Sequence, residues 1–343
     1  MWIGIKLVAN WSCKMTKLGQ TVAMGVSEVV QGQPVITAPF GKALVEAGAR
    51  NPKILGLTAD LGKYTDIFPF KEAFPDRFFN IGMAEQNMVG IAAGLARTGF
   101  VPFCTTYCVF ATRRAYDFIA IGCALSRSNV KIIAGLPGLT TGYGATHQGI
   151  EDLALMRSIP NLTVIDPCDA TETMQAVHAI AEFDGPVYMR LLRGQVPVVL
   201  DSATYRFSLE RAQRLREGTD VGIISTGLMT GRALEAVQTL SALGIEATLL
   251  HVPVIKPLDV ATIAELAATV DLLVTAENHV VTGGLGSAVA DLIVACQTKN
   301  KLIKIGIPDH FVECGSLPYL HTKYGLTAEN IVSTVLSALH QPS

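Results

Sequence analysis

The chain has 343 residues, half of them hydrophobic, 16% charged, with a formal net charge of −2; that is enough for two globular domains of roughly 100–200 residues each, and it offers no basic field for nucleic acid. Mean hydropathy is high at +0.38, yet no stretch holds the roughly 18 uninterrupted apolar residues of a membrane-spanning helix, so the excess reads as Ala, Val, Ile and Leu in buried parallel strands and packed helices. Seven scattered cysteines show no CxxC spacing, and the apolar surroundings of Cys104, Cys108 and Cys123 suit reduced, buried thiols and a cytoplasmic location.

Residues 1–30 read as an N-terminal extension, expected to be disordered, with no signal-peptide pattern and with Met15 or Met24 as alternative starts. From Thr37 the pattern predicts a helix from Gly41 to Ala49, a strand from Ile54 to Thr58, a helix from Glu85 to Arg97 and a strand from Val101 to Thr105. A helix near Ala115 to Ala124, a strand from Val130 to Ala134, a helix from Asp152 to Met156 and a strand from Thr163 to Ile165 follow. A helix from Ala170 to Phe183 and a strand from Pro186 to Leu191 complete an α/β domain over residues 31–200. This alternation predicts a mostly parallel sheet covered on both faces.

Residues 201–218 are richer in charge, with Arg206, Glu210, Arg211, Arg214, Arg216 and Glu217 close together, and read as a solvated linker. A second cycle begins after it. Strands from Val221 to Thr226, Ala247 to Val252 and Leu272 to Thr275 alternate with helices from Gly231 to Leu243, Val260 to Thr269 and Gly286 to Cys296. They predict a smaller α/β domain over residues 219–343.

Five segments carry candidate chemistry. Glu85 stands among small and apolar residues, in Gly82-Met83-Ala84-Glu85-Gln86-Asn87, where an unpartnered carboxylate is costly; it either braces a helix or exchanges a proton. Tyr107 and Phe110 follow a strand end, the place where open α/β sheets put ligands, although paired rings are also ordinary core. A Gly-rich turn, Gly142-Tyr143-Gly144, leads to His147 and gives the backbone freedom to bring it toward a ligand. Arg190 and Arg193 close a strand, and a guanidinium there is either a surface charge or a phosphate ligand. The strand and Gly loop from Thr275 to Ala288 are, alone, a weak nucleotide signal.

Taken in order from Thr37 to Leu339, these segments resemble the transketolase family, in particular its C-terminal half. The resemblance implies two α/β domains with mostly parallel sheets, a pyrimidine-binding domain followed by a transketolase C-terminal domain. It implies thiamine diphosphate as cofactor, with Glu85 sharing a proton with the aminopyrimidine, and with Phe110, Tyr107, Asp60, Leu61 and Arg113 as further cofactor contacts. His147 matches a residue that touches substrate hydroxyls and aids proton transfer, and Arg193 matches a phosphate-binding arginine. Tyr64 and Tyr143 fall at substrate positions, and the Gly loop after Thr275 matches a structural element. The implied reaction moves a two-carbon ketol unit from a ketose (phosphate) donor to an aldose acceptor.

The Gly-Asp-Gly motif that holds Mg²⁺ and the diphosphate in such enzymes does not occur in this sequence. No metal ligand is therefore assigned to this chain, and a separately encoded N-terminal, diphosphate-binding subunit is expected to hold Mg²⁺ in an α2β2 assembly. Thr37, Tyr64, Leu136 and Tyr143 depart from the residues the family places at those positions, which leaves the sugar open to a branched, deoxy or differently charged one. A deoxyxylulose-phosphate-synthase-like subunit, the β subunit of a 2-oxoacid dehydrogenase first component and a non-catalytic assembly subunit are the alternatives. The segments Ala59-Asp60-Leu61, Gly82 to Asn87 and Thr105 to Phe110 favour transketolase.

Overall fold

The computed structural model describes residues 32–340, so the N-terminal extension lies outside the described residues. The first half runs β1 (Val35–Thr37), α1 (Pro39–Arg50), β2 (Ile54–Thr58), α2 (Phe68–Ala73), β3 (Phe78–Asn80), α3 (Glu85–Arg97), β4 (Val101–Tyr107) and α4 (Cys108–Asp117). It continues through β5 (Lys131–Gly135), α5 (Asp152–Ser158), β6 (Thr163–Ile165), α6 (Ala170–Glu182), β7 (Val187–Leu191) and β8 (Gln195–Pro197). The second half comprises β9 (Gln213–Arg216), β10 (Val221–Ser225), α7 (Met229–Ala242), β11 (Ala247–His251), β12 (Val254–Lys256) and α8 (Val260–Ala267). It ends with β13 (Leu272–Val280), α9 (Leu285–Ala295), β14 (Lys301–Ile307), α10 (Leu317–Lys323) and α11 (Ala328–His340).

Beside a separate antiparallel pair formed by β1 and β8, two large sheets organise the molecule. One has the order β12-β6-β7-β5-β4-β2-β3 and is parallel except for β12; the other has the order β14-β13-β10-β11-β9 and is parallel except for β9. The strands β2, β4, β5 and β7 are buried throughout, as expected of parallel strands with helices on both faces. On one face α1 packs against α2 and α6; on the other α3 packs against α4 and α4 against α5.

The chain leaves β2 toward α2 and leaves β4 toward α4, so two neighbouring strands send their connections to opposite faces. That divergence opens a crevice at their C-terminal ends. The α3 side of the core is continuous with the second half, since Met88, Ile119 and Met156 belong to the same buried cluster as Ile224, Leu250, Leu273 and Leu285.

Several elements differ from the sequence expectation, which had no counterpart for β1, α2, β3, β8, β14, α10 and α11. Gln213–Arg216, within the stretch read as a linker, forms β9 and pairs antiparallel with β11. The short β12 belongs by sequence to the second half yet extends the first sheet through β6. The helix expected near Ala115 begins at Cys108 and passes into π turns over Phe118–Leu125. Strand β13 runs on to Val280, beyond the expected end at Thr275; its polar residues interrupt the apolar run because Asn278 and His279 accept from Leu139 and Ala154 of the first half and Glu277 from the loop that follows.

Candidate functional site

The crevice collects most of the residues singled out above. Tyr107 ends β4 and Phe110 lies in the first turn of α4, their ring centroids 5.8 Å apart. Leu61, from the loop after β2, packs with them alongside Val109 and Leu136. His147 meets Phe110, Tyr143 and Tyr107 edge to face at centroid distances of 5.5, 5.6 and 6.1 Å.

The Gly-rich turn places that imidazole. The His147 amide donates to the Gly144 carbonyl at 2.9 Å, and Gly144 sits at φ 83, a conformation that glycine adopts without strain. The turn is pressed against the second half of the chain. Gly315 donates its amide to the Gly142 carbonyl at 3.2 Å, and a Cβ on Gly142 would lie 2.0 Å from the Gly315 oxygen. Burial, with the charge of Arg114 adding to it, holds the His147 pKa below its ordinary value, which favours the neutral ring. Its Nδ1 lies 2.9 Å from Thr146 Oγ1.

Glu85 opens α3 and is 2% exposed. A carboxylate in a first turn interacts favourably with the helix dipole, and its oxygen Oε1 accepts from Arg114 at 3.0 Å. The Arg114 guanidinium also lies 4.2 Å from the centroid of Phe110, within cation–π range. The sequence reading named Arg113 instead. Arg113 turns away: its Nε donates to Glu151 and its terminal nitrogen to the Ala145 carbonyl at 3.2 Å, so it braces the His147 turn from behind. Four-residue spacing between Phe110 and Arg114 was the available signal, because residues i and i+4 share a helix face.

Arg193, Tyr64 and Tyr143 complete the rim. Burial raises the Tyr107 hydroxyl pKa, Arg193 opposes that shift, and Tyr143 and Tyr64 add to it, so all three lie near enough to influence it. The Arg193 guanidinium lies 5.9 Å from the Tyr107 ring, and its Nε is buried without a partner among the described residues. Asp60 takes φ 59 just after β2 and exchanges hydrogen bonds with Asn80: its amide donates at 3.1 Å and its Oδ1 accepts at 3.0 Å.

The two strand-terminal arginines divide their roles. Arg190 is fully enclosed, donating to Asp152 at 2.5 and 2.9 Å, to Asp166 at 3.2 Å and to the Asn278 carbonyl at 3.2 Å. Burial pushes both acids up. Arg190 outweighs it at Asp152, which lies below the usual carboxylate range, but not at Asp166, which is raised to about 6. Arg190 is thus a tie between the two halves, and only Arg193 faces the crevice.

The Gly loop after β13 is filled by the chain itself. Glu277 accepts from the amides of Leu285 and Gly286 at 2.7 and 2.8 Å, and Arg157 donates to the Gly284 carbonyl at 2.9 Å. Among the described residues, Cys168, Glu172 and His251 have ligand atoms close enough for a metal. Both ring nitrogens of His251 are already engaged, by Thr230 at 2.8 Å and by Glu172 at 2.9 Å, and Glu172 also accepts from the Cys168 amide and the Tyr205 hydroxyl. This is a satisfied polar network between the halves. Among the described residues no helix is long and apolar enough to cross a membrane.

The fold and crevice define a two-domain α/β protein with a buried acid and aromatic rings at a sheet switch point. Residues 33–198 match the family model for the transketolase pyrimidine binding domain, and residues 210–331 match that for the transketolase C-terminal domain. A transketolase family protein of Sinorhizobium fredii is 54% identical, with 92% of this chain and 92% of that protein covered. The 6-deoxy-6-sulfo-D-fructose transketolase subunit of a Clostridium species is 41% identical over 84% of this chain and 89% of its own. A solved split gene transketolase, an inactive beta4 tetramer, superimposes with a TM-score of 0.82 at 46% identity, covering 88% of this chain and 97% of that one. The chain belongs to the transketolase family, and its two α/β domains are those of the family's C-terminal section.

Proposed function

We propose that this chain is the C-terminal subunit of a split, thiamine-diphosphate-dependent transketolase that moves a two-carbon ketol unit from a ketose phosphate donor to an aldose acceptor. The observation that carries this reading is Glu85: a buried carboxylate, held by one arginine, beside an aromatic crevice at the switch point of a parallel sheet. The residues fit the cofactor's pyrimidine end. Phe110 and Tyr107 offer ring faces, Leu61 an apolar wall, and Glu85 a partner for a ring nitrogen; Asp60 and the Arg113-braced turn border the same crevice. When bound, thiamine diphosphate supplies the electron sink for breaking and remaking the bond beside the ketose carbonyl.

The protein's own part is orientation and proton handling. Glu85 would hold the proton shared with an aminopyrimidine nitrogen of the bound cofactor, its carboxylate fixed by Arg114. His147 accepts or donates a proton at a substrate hydroxyl, and Arg193 receives the donor's phosphate. Tyr64 and Tyr143 wall the outer crevice with rings, a surface that accommodates sugars other than the common pentose phosphates. The relative named for 6-deoxy-6-sulfo-D-fructose makes an anionic hexose a second donor to examine.

The partner reading rests on what the chain leaves open. Large apolar side chains stand exposed on β3, on the segment before α3, on α3 and on the π turns packed against it: Phe79, Met83 at 82%, Ile91, Phe118, Ile121 and Leu125; exposed apolar surface of this kind suits an interaction surface. The diphosphate and Mg²⁺ are assigned to a separately encoded subunit in a cytoplasmic α2β2 enzyme. That a similar split gene transketolase is an inactive tetramer supports activity only with such a partner. The test is to co-express the two subunits and measure ketol transfer from xylulose 5-phosphate and from 6-deoxy-6-sulfofructose, with Glu85→Ala as control. Transfer abolished by Glu85→Ala supports the reading; transfer retained in that variant overturns it.

A further inference from the structure

We propose that Asp66 is a positioning residue for Arg193, holding the Arg193–Gly194 turn so that the guanidinium faces an anionic group of the substrate; this rests on the reading of Arg193 as the donor's anion ligand. Arg193 lies between β7 and β8, and Gly194 turns the chain at φ 73. Both sides of that turn are tied. The Gly194 amide donates to Asp66 Oδ2 at 2.7 Å, and the Gly194 carbonyl accepts from the Ala38 amide at 2.8 Å. Two unrelated segments, the loop after β2 and the start of α1, therefore grip one residue.

Asp66 is itself fixed. It takes φ 56, its amide donates to the Gly62 carbonyl, and a Cβ on Gly41 would lie 2.1 Å from its carbonyl oxygen, so the backbone is wedged against α1. Its carboxylate spends its close contact on a backbone amide and leaves the guanidinium donors alone. Among the described residues no acceptor within hydrogen-bond distance engages Arg193, although the Asp66 carboxylate feels its charge. An acid that ion-paired directly would occupy the donors an anion needs. Here the acid acts on the turn.

The test uses the assembled two-subunit enzyme with thiamine diphosphate present, titrated calorimetrically with inorganic phosphate. Asp66→Gly keeps the left-handed backbone while deleting the acceptor, and Asp66→Asn keeps both backbone tolerance and an acceptor. Phosphate affinity is expected to fall about tenfold in Asp66→Gly, the loss of roughly one hydrogen bond's worth of order, and to stay near wild type in Asp66→Asn. The KM for a phosphorylated donor should follow the same order with kcat little changed. Asp66→Ser, too short to span to Gly194, serves as a second variant with the expectation of Asp66→Gly. Unchanged phosphate affinity in the Gly and Ser variants, alongside a loss in Arg193→Gln, overturns the positioning role while sparing the anion reading. Unchanged affinity in Arg193→Gln overturns both.

Discussion

Arg114 donates to the Glu85 carboxylate across 3.0 Å and lays the same guanidinium 4.2 Å from the centroid of Phe110. One cation thus fixes both the buried acid and the ring beside it. Replacing Glu85 by Gln keeps shape and one acceptor but removes the ionisable proton. Ketol transfer by the assembled enzyme should fall on the order of 10²–10⁴-fold, the usual worth of a positioned acid–base group, with an unchanged circular dichroism spectrum and thermal midpoint. Arg114→Met should cost less, about tenfold, by loosening the carboxylate. Equal losses in the two variants would assign the effect to the ion pair and not to the proton.

The contact between Gly142 and Gly315 couples the His147 turn to the second half of the chain. Gly142→Ala forces a shift where its Cβ would lie 2.0 Å from a carbonyl oxygen. Displacing a substrate-contacting group by about 1 Å can cost 10²-fold, so donor kcat/KM should drop by tenfold or more while cofactor affinity holds. Steady-state kinetics with calorimetric cofactor titration separates the two effects.

Arg190 neutralises two buried acids at once. Arg190→Leu leaves Asp152 and Asp166 enclosed without their cation, a change that costs about 3–5 kcal/mol in comparable buried pairs. Urea denaturation should show that loss, and a loss below 1 kcal/mol would mean that water reaches the network.

Burial raises Glu277 from 4.5 to about 7, against the lowering effect of the Gly286 and Leu285 amides. A raised folded-state pKa contributes stability that is complete below the unfolded value and is lost as pH rises through the folded one. The stability of the wild type relative to Glu277→Gln should therefore decline between pH 4.5 and about 7, by on the order of 2–3 kcal/mol. His279, whose burial lowers it from 6.5 to about 4, acts in the opposite sense, losing its contribution as pH falls through that range. Its Nδ1 lies 3.8 Å from Glu277 Oε2, so the two titrations are coupled, and repeating the comparison in a His279→Gln background isolates the Glu277 part. A difference independent of pH would show that Glu277 stays ionised in the fold.

Regular alternation makes much of the architecture legible in the sequence: the helix beginning at Glu85 and the strands at Ile54 and Thr163 fall where periodicity places them. What sequence hid was set by long-range pairing. Gln213–Arg216 is too charged to announce a strand and becomes one only by adding to β11, while Val254–Lys256 is too short to show whether it belongs to its own domain or to β6. At the site, Glu85, Tyr107, Phe110, Tyr143, His147 and Arg193 were visible as residue types at strand ends and Gly turns. The choice between Arg113 and Arg114 was not, because neighbouring helix residues diverge by about 100° and the partner of each, Glu151 or Glu85, lies far off in sequence. Asp66 carries its signal in a backbone conformation that no residue pattern displays.

The central claim is that this chain provides half of a cofactor site. Calorimetric titration of thiamine diphosphate with Mg²⁺, into this chain alone and into the chain co-purified with a diphosphate-binding subunit, tests it most directly. Binding confined to the two-subunit sample is the predicted result; tight binding by this chain alone would contradict it.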